Sequence, residues 1–471
     1  MIDLSAFRGQ CVAVMGLGKT GLSAALSLSH AGVQVWAWDD NATSRLNAEN
    51  IGIPIVDLNS VPLDNVNFII WSPGIPHTYP TPHPIAERAR ASGVPIVCDI
   101  DVLCRVQDKA DYIGVTGTNG KSTTTALIGH TLKEFRPAQI GGNIGVPVLD
   151  LDPMEGEGTY VLELSSYQTE LAPSFSPMGV VFLNITPDHL YRHGGLQGYI
   201  DAKKKIFSNP SMGQRKPIAV ISIDTEDCFD IAEELEDDNV WTVIPVSTQK
   251  KLDKGVYVED GQLYEVREEE PIFITDLKSF KHLRGQHNHE NIACAYAVIR
   301  QLYGYEPQKI IEAMASFGGL PHRQFLVKTI HDIPYINDSK ATNADATARA
   351  LACFRRIYWI LGGQPKEGGL NGLEDYMDRI EGAYLIGEAA PQFAEWLAAR
   401  NVPFAQCGTL EVALAAAHLD AQMNRDAPAL DGAGVVLLSP ACASWDQFKS
   451  FEHRGDVFSD LVHQLKEDIS V

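Results

Sequence analysis

The stretch Gly114-Val115-Thr116-Gly117-Thr118-Asn119-Gly120-Lys121-Ser122-Thr123 decides the fold of the middle of the chain. It follows a short apolar run and precedes a segment that reads as a helix. Glycines let successive main-chain amides turn inward onto phosphates, the lysine reaches the β- and γ-phosphates, and the next hydroxyl binds Mg²⁺. The strict G-x-x-x-x-G-K-[ST] pattern is not met, because Val115 holds its first position. The strand–loop–helix context nevertheless predicts a triphosphate-binding loop.

Strands and helices alternate on both sides of this loop, which predicts parallel α/β sheets. The length of 471 residues suggests three domains at about 150 residues each. We predict a Rossmann-like domain over 1–100, a central P-loop ATPase-type parallel sheet over 101–320, and a C-terminal Rossmann-like domain over 321–471. A hairpin around Glu259–Gln262 predicts a small β excursion in the central domain.

The composition excludes several classes of protein. With 38 Lys and Arg against 60 Asp and Glu, the net charge is −22, which argues against nucleic acid as a partner. Eight scattered cysteines without a C-x-x-C argue against a disulfide scaffold and against a thiolate zinc site. The first ten residues lack the regions of a signal peptide, and no run of 18 apolar residues occurs. We therefore expect a cytoplasmic protein that is not inserted in a membrane.

A second glycine-rich turn, Gly16-Leu17-Gly18-Lys19-Thr20-Gly21, matches G-x-G-x-x-G after the strand Val12–Met15. Asp39 ends the next predicted strand, where an acid that binds ribose would lie. The pattern predicts a diphosphate at a helix N-terminus, and it leaves open a nicotinamide dinucleotide, another nucleotide or a purely structural turn.

Two side chains at predicted strand ends are candidate metal ligands. Glu163 ends an apolar strand beside the P-loop and could bind Mg²⁺, although a buried, hydrogen-bonded glutamate is the alternative. His189 follows another strand and is a better candidate than a pair with His193, because glycines follow at once. The group His282, His287 and His289 is more typical of structural or solvated histidines. By composition alone, the run Lys203–Lys205 predicts a solvated helix face.

Two polar segments of the C-terminal third, Asn337–Asn343 and Ser439–Phe448, each follow a predicted strand. Ser444 and Gln447 have the spacing of a helix capping box. Binding of a carboxylate at the same helix N-terminus is the competing interpretation.

The order of these motifs, with Gly141–Gly145, Glu163–Gln168, Asp188-His189 and Gly285–Asn288, resembles the Mur ligases over essentially the whole chain. Asn337–Asn343 and Leu438–Gly455 resemble the branch that adds D-glutamate. The resemblance implies an ATP-dependent amide ligase that joins D-glutamate to UDP-N-acetylmuramoyl-L-alanine through an acyl phosphate, in cytoplasmic peptidoglycan precursor synthesis. It also implies two Mg²⁺ sites and a monomer.

The resemblance assigns site residues by position. The implied catalytic residues are Lys121, Glu163, His189 and Lys203. The implied metal ligands are Ser122, Glu163, His189 and a carbamylated Lys203. The implied ATP-binding residues are Gly117, Thr118, Asn119, Gly120, Lys121, Ser122, Thr123, Asn288, Asn291, Arg323 and Asp338. The implied UDP-substrate residues are Gly18, Lys19, Thr20, Asp39, Asp40, Ser72, Gly74 and Asn143. The implied D-glutamate residues are Lys340, Thr342, Lys366, Ser444 and Phe451.

Three rival functions stay open at this point. A folylpolyglutamate synthetase would share the P-loop and the modified lysine, but the N-terminal diphosphate turn and the segment Ser439–Ser444 disfavour it. A nicotinamide oxidoreductase and a non-catalytic nucleotide sensor are the others. Transfer of fluorescence to NADH identifies the oxidoreductase, and ADP release separates an enzyme from a sensor.

Overall fold

The structure is a computed structural model that describes residues 1–154, 156–211, 215–280, 282–425 and 434–465. The chain forms two compact units, one of Met1–Ser279 with Asn288–Phe317 and the other of Phe280–His287 with Gly318–Val471. The described residues form three parallel-rich sheets, which confirms the predicted α/β class. The predicted boundaries at 100 and 320 stay predictions.

The first sheet has the order β2-β1-β3-β4 and is parallel throughout. Its strands are β1 (Cys11–Met15), β2 (Gln34–Trp38), β3 (Phe68–Trp71) and β4 (Ile96–Val97). All residues of β1 and β3 are buried, as expected for strands covered by helices on both faces. The helices of this part are α1 (Lys19–His30), α2 (Ala42–Asn50), α3 (Pro84–Ala91) and α4 (Asp99–Val106).

The second sheet has the order β13-β12-β11-β10-β9-β8-β5-β7-β6. It is parallel from β11 to β6, and β12 and β13 continue it as antiparallel strands, which confirms the predicted β excursion. Its strands are β5 (Asp111–Thr116), β6 (Ala138–Gly142), β7 (Thr159–Glu163), β8 (Gly179–Phe182), β9 (Ile218–Ser222), β10 (Thr242–Ser247), β11 (Gly255–Glu259), β12 (Gln262–Arg267) and β13 (Glu270–Asp276).

The helices around the second sheet include a long one beside the P-loop and two single turns near strand ends. They are α5 (Lys121–Lys133), α6 (Ser166–Thr169), α7 (Leu190–His193), α8 (Leu196–Lys204), α9 (Glu226–Asp238), α10 (Gln286–Tyr303) and α11 (Pro307–Ala315). The helix α8, which carries Lys203, ends at Lys204, and a 3₁₀ turn, Lys205–Phe207, follows it.

The third sheet has the order β14-β15-β19-β16-β17-β18, with β14 antiparallel to β15 and the other pairs parallel. Its strands are β14 (Phe325–Ile330), β15 (Ile333–Asn337), β16 (Ile357–Gly362), β17 (Ile380–Ile386), β18 (Phe404–Gly408) and β19 (Val435–Leu438). Its helices are α12 (Ala344–Cys353), α13 (Ala390–Ala398), α14 (Leu410–Met423) and α15 (Phe451–Gln464). In the parts of the chain that are described, no helix has the length and apolarity to cross a bilayer.

Candidate active site

The P-loop lies between β5 and α5, as predicted, and its last glycine is required by its surroundings. Gly120 has φ +83°, and a Cβ atom there would lie 2.2 Å from Oδ1 of Asn291. Only glycine fits both the left-handed backbone and this close approach. Nζ of Lys121 donates to the carbonyl oxygens of Gly117 at 2.9 Å and Thr118 at 2.6 Å, so its ammonium lies over the loop.

Side chains beyond the strand β8 hold the loop in place. Oδ1 of Asn184 accepts a hydrogen bond from the main-chain N–H of Asn119 at 2.9 Å. Oγ1 of Thr118 donates to the carbonyl of Thr186 at 3.1 Å and lies 3.1 Å from the hydroxyl of Tyr199. Sequence reasoning missed Asn184, although β8 neighbours β5 and its end meets the same sheet edge. The loop is therefore fixed by side chains rather than by its own turns alone.

Asn288 and Asn291 lie on α10, behind the loop. Oδ1 of Asn291 accepts a hydrogen bond from Thr124 Oγ1 at 3.1 Å, and Nδ2 donates to Oδ1 of Asn288 at 3.0 Å. Asn291 is 2% exposed. This pair joins α10 to the helix that the P-loop begins, and the remaining predicted loop residues Ser122 and Thr123 occupy the first turn of that helix.

Glu163 ends β7, next to the P-loop strand, as predicted. Its side chain is buried, and Oε1 accepts a hydrogen bond from Nδ2 of Asn143 at 2.8 Å. Oε2 is buried and has no hydrogen-bond partner. A buried carboxylate oxygen without a partner costs free energy unless a cation or donor meets it. The half-satisfied carboxylate therefore favours a ligand role over a purely structural one.

Lys203 is buried, and the prediction from composition of a solvated role is wrong for this residue. It is 1% exposed on α8, and Nζ donates to the carbonyl of Gly117 at 2.7 Å. Lys205 is exposed, and Lys204 pairs with Glu234. Lys203 lies four residues after the buried Tyr199, so it shares the inward helix face. Burial, with the nearby Lys121 ammonium, lowers the pKa of Lys203 well below its usual value.

His189 precedes α7 in the left-handed backbone region, with φ +51°. Its Nε2 lies 3.4 Å from Oδ2 of Asp188, and the charges of Asp188 and Glu163 both act to raise the pKa of Lys203. Nε2 of His193 lies 2.9 Å from the buried Oγ of Ser166. Burial lowers the pKa of His193 to about 4, so its ring is neutral near pH 7.

The described residues contain no ready-made cluster of three or more His, Cys, Asp and Glu side chains that could hold a metal ion. A carbamate on Lys203 would add a carboxylate to the groups around Glu163 and His189. The histidines His282, His287 and His289 likewise form no metal cluster in the described chain.

The glycine-rich turn between β1 and α1 has the predicted conformation. A Cβ on Gly21 would lie 1.8 Å from the carbonyl oxygen of Gly16, so the helix can approach the turn only with glycine there. Both carboxylate oxygens of Asp39 accept main-chain hydrogen bonds, from Leu17 at 2.7 Å and Asn41 at 2.8 Å. Asp39 therefore braces the turn from the end of the neighbouring strand.

Lys19 connects this turn to the segment that carries Asn143. Its Nζ donates to the carbonyl of Gly145 at 2.8 Å, and Asn143 donates to Glu163 in turn. Two of the predicted UDP-substrate residues, Lys19 and Asn143, thus contact the segment 143–145 and Glu163, respectively. Asp40 pairs with His83 at 2.8 Å at the end of β2. The other predicted residues of this site are placed in the turn, in the first turn of α1 and after β3: Gly18, Thr20, Ser72 and Gly74.

In the second unit, the loop after β15 carries a charged and a titratable side chain. Nζ of Lys340 lies 3.8 Å from the ring centroid of Phe451, a cation–π contact. Oδ2 of Asp338 accepts a hydrogen bond from Ser439 at 2.8 Å, and Oδ1 accepts one from the N–H of Gln324 at 3.1 Å. Burial raises the pKa of Asp338 to about 7.

The capping box predicted at Ser444 is wrong. The helix α15 begins at Phe451, and the hydroxyl of Ser450 caps it by accepting from the N–H of His453. Ser444 is 2% exposed and lies in the loop after β19, where its carbonyl accepts from Gln447 and Phe448. The other predicted D-glutamate residues of this unit are Thr342, half-buried after β15, and Lys366, exposed after β16. Arg323, which is predicted to bind ATP, lies before β14.

Sequence reasoning also missed Arg454, a fully buried arginine on α15. Its guanidinium donates to Oγ and O of Ser339 at 2.9 and 2.8 Å and to the carbonyl of Cys442 at 3.1 Å. It thereby ties the loop before Lys340 to the loop before Ser444. Burial lowers the pKa of Arg454 to about 10. In the sequence, Arg454 lies three residues after Phe451, a predicted D-glutamate residue. Nothing in the sequence distinguishes it from an arginine on a solvated helix face.

Two family models match the chain. The model described as the Mur ligase middle domain matches residues 115–299, and the model described as a Mur ligase MurD-like N-terminal domain matches residues 10–98. The first match spans the P-loop, Glu163, His189 and Lys203, and the second spans the glycine-rich turn.

Relatives align along nearly the full chain. A UDP-N-acetylmuramoylalanine–D-glutamate ligase of Rhodospirillum rubrum is 50% identical over 471 residues, which cover 99% of this chain and 97% of that protein. The protein of the same name from Paramagnetospirillum magneticum is 48% identical over 468 residues, with 99% of each chain covered. Among solved structures, a UDP-N-acetylmuramate–alanine ligase of Thermotoga maritima has a TM-score of 0.57 at 20% identity, covering 97% of this chain and 100% of that one. This last likeness supports the fold alone.

Proposed function

We infer the reaction from two facts: the chain belongs to the Mur ligase family, and its buried carboxylate, lysine and P-loop meet at one sheet edge. The chain is an ATP-dependent amide ligase that joins D-glutamate to UDP-N-acetylmuramoyl-L-alanine in peptidoglycan synthesis. The observation that carries this function is the 50% identity to a D-glutamate ligase along essentially the whole chain. The glycine-rich turn at Gly16 accordingly serves a uridine diphosphate rather than a nicotinamide cofactor.

The P-loop binds ATP in this proposal. Main-chain amides from Gly117 to Gly120 surround the phosphates, and Lys121 leaves its loop carbonyls to neutralise the β- and γ-phosphates. Two of the present partners of its ammonium, the carbonyl oxygens of Gly117 and Thr118, are neutral, so a phosphate competes with them for this cation. We propose that Asn288 and Asn291 serve the adenine end, and that Arg323 and Asp338 of the second unit contribute to ATP binding.

The residues around Glu163 fit divalent magnesium, which prefers oxygen ligands. The free, buried Oε2 of Glu163 and the hydroxyl of Ser122 would hold one ion. His189 and a carbamylated Lys203 would hold a second. When bound, the ions offset the charge repulsion between the γ-phosphate and the substrate carboxylate.

The environment of Lys203 supports the carbamate. The burial that lowers the pKa of Lys203 favours the neutral amine, which is the form that attacks carbon dioxide. Its nitrogen forms a bond to the carbon of CO₂ and loses a proton, which leaves a carboxylate in place of an ammonium. The carbonyl of Gly117, now 2.7 Å from Nζ, accepts the remaining N–H.

The reaction has two steps. A carboxylate oxygen of the L-alanyl substrate attacks the γ-phosphorus of ATP, and the bond to ADP breaks to give an acyl phosphate and ADP. The amine of D-glutamate then attacks the acyl carbon, a proton leaves the nitrogen, and phosphate departs. Positioning and electrostatics supply most of such catalysis. Lys121 supplies positive charge at the transferring phosphoryl group, and Asn143 orients the carboxylate of Glu163.

We propose that cationic side chains and hydroxyl groups of the second unit bind the carboxylates of D-glutamate. Lys340 and Lys366 carry charge for the carboxylates of D-glutamate, while Thr342 and Ser444 donate hydroxyl hydrogen bonds and Phe451 supports the Lys340 ammonium. The diphosphate of the uridine substrate binds at Gly18, Lys19 and Thr20, where main-chain amides of a helix N-terminus face the anion.

We further propose that the protein acts in the cytoplasm as a monomer. The nucleotide-linked substrate and ATP are cytoplasmic compounds, and every binding group named above comes from one chain. We also propose that its ligase activity depends on Mg²⁺.

Product analysis with an amino-acid panel tests the function. The protein is incubated with ATP, Mg²⁺ and UDP-N-acetylmuramoyl-L-alanine, and with D-glutamate, L-glutamate, L-alanine or diaminopimelate in separate reactions. We expect phosphate release and a glutamyl mass gain on the nucleotide only with D-glutamate. Phosphate release with another amino acid would show that the protein is a ligase of the family with a different amino-acid specificity. No phosphate release with any of the amino acids would refute the ligase function.

A further inference from the structure

The buried His193 lies among the elements that carry the proposed cation ligands. Its side chain is 2% exposed, and neither the P-loop chemistry nor the family match gives it a role. We propose that its ring is a positioning group that holds three ligands, Glu163, His189 and Lys203, in the arrangement that binds divalent cations. This inference rests on the proposed function and adds a residue to it.

The first connection runs to the strand that ends at Glu163. Nε2 of His193 lies 2.9 Å from Oγ of Ser166, the first residue of α6 and only three residues beyond Glu163. This hydrogen bond is buried, so water does not replace it easily. Oγ1 of Thr169, on the same turn, donates to the carbonyl of Ala202 at 2.7 Å. The single turn α6 is therefore fixed between β7 and α8.

The second connection runs to His189 through an aromatic ring. The rings of His193 and Tyr167 are stacked, with centroids 5.3 Å apart and an interplanar angle of 18°. Tyr167 in turn lies 5.4 Å from the ring of His189. Because His189 has a strained left-handed backbone, its ring depends on neighbours for its orientation. Displacing His193 removes the support of the ring against which His189 packs.

The third connection runs to Lys203 and to the P-loop. The rings of His193 and Tyr199 lie 5.5 Å apart. Tyr199 is 3.1 Å from Thr118 through its hydroxyl, and Nζ of Lys203 lies 4.7 Å from its ring centroid. One imidazole thus lies between two tyrosines, each of which contacts a different proposed cation ligand.

A nucleophilic role for this group is excluded by burial. Ser166, His193 and Glu170 have the order of a hydrolase triad, with Nδ1 of His193 3.9 Å from Oε2 of Glu170. Ser166 is only 3% exposed, so its hydroxyl is inaccessible to an acyl substrate. The contacts of His193 are with supporting side chains, which is the pattern of residues that orient ligands rather than react.

The test compares His193→Phe, which keeps a ring of similar size but cannot bond to Ser166, with His130→Phe as the matched control. His130 has a similar serine contact, 2.8 Å to Oγ of Ser316, at the far end of α5. Ser166→Ala is the milder variant, which removes the hydrogen bond and leaves the histidine stack. Thermal unfolding of each full-length variant verifies that it folds.

Three measurements distinguish a positioning role from general destabilisation. Mn²⁺ binding in the presence of the β,γ-imido analogue of ATP is followed by electron paramagnetic resonance, and the carbamate on Lys203 is measured by ¹³C NMR under ¹³CO₂. Steady-state kinetics give kcat and KM. We expect His193→Phe to weaken Mn²⁺ binding by roughly 10- to 100-fold, the range found for groups that support metal ligands. The carbamate signal should fall, kcat should fall, and KM for D-glutamate should stay within about twofold of the wild-type value.

Ser166→Ala should weaken Mn²⁺ binding in the same direction, and His130→Phe should leave both signals unchanged. Wild-type Mn²⁺ affinity and carbamate content in Ser166→Ala and in a folded His193→Phe would overturn the inference. If His193→Phe does not fold, Ser166→Ala alone decides. A wild-type protein that makes no D-glutamyl product would instead overturn the proposed function, so the two failures are distinguishable.

Discussion

Replacing Asp338 by asparagine should stabilise the protein at alkaline pH and leave its stability unchanged in acid. Asp338 is 6% exposed, and burial raises the pKa of its carboxyl group from 3.8 to about 7. Asparagine preserves both contacts, since its oxygen can accept from Gln324 and its amide can donate to Ser439. Oγ of Ser439 can then donate to Thr347, which lies 3.2 Å away. The substitution therefore removes the titration with little change in packing.

The sign follows from proton linkage. Below pH 4 both the folded and the unfolded chain carry the proton, so this group makes no pH-dependent contribution. Between pH 4 and 7 the folded chain retains a proton that the unfolded chain has lost, and each pH unit removes about 1.4 kcal/mol of stability. Above pH 7 the loss is constant at about 4 kcal/mol, the free energy of that pKa difference.

The assay is urea unfolding of the wild type and Asp338→Asn at intervals from pH 4 to pH 8, without nucleotide. The difference in unfolding free energy should grow by about 4 kcal/mol in favour of the variant as the pH rises. A ¹³C NMR titration of the aspartate carboxyls should show one signal near pH 7 that Asp338→Asn lacks. Parallel stability curves for the two proteins across this range would refute the assignment of a buried, protonated Asp338.

The remaining predictions concern the site directly. Lys203→Ala should lose most turnover, and added acetate should partly restore it by replacing the missing carboxylate; near-normal activity without rescue would argue against a carbamate. Lys121→Ala should abolish ADP formation while the UDP substrate still binds in calorimetry, and unchanged ATP turnover would disprove the P-loop role. Arg454→Lys keeps the charge but replaces a five-donor fork with three donors. It should raise KM for D-glutamate about tenfold, equivalent to about 1.4 kcal/mol, and a wild-type KM would show that the ties to Ser339 and Cys442 do not shape the pocket.

Much of the site was predictable because parallel strands end at one edge of a sheet. Glu163 and His189 were predicted because each follows or ends a strand of this sheet. Asn184 also follows such a strand, so the same rule could have identified it. Lys203 shows the limit of composition, since a run of three lysines is usually solvated. Only its place four residues after Tyr199 on the inward helix face, or the family resemblance, separates it from Lys205.

The missed elements share a physical cause. The edge strands β13 and β18 are largely exposed. β13 carries the apolar run Ile272–Ile274, but neither strand shows the strict apolar–polar alternation of a half-buried strand. The start of α15 was misjudged because Ser444 and Ser450 offer similar capping chemistry, and the choice between them depends on where the loop after β19 packs. The network around His193 is formed by segments from 166 to 199, and contacts of this kind leave no periodic signal in the sequence.

The path of oxygen during turnover tests the central claim most directly. UDP-N-acetylmuramoyl-L-alanine is prepared with both oxygens of its alanyl carboxylate replaced by ¹⁸O, and the protein converts it with ATP and D-glutamate. An acyl phosphate requires that the released phosphate carries one ¹⁸O and that the new amide retains the other, and this is the result we expect. Unlabelled phosphate together with an unchanged nucleotide substrate would contradict the account.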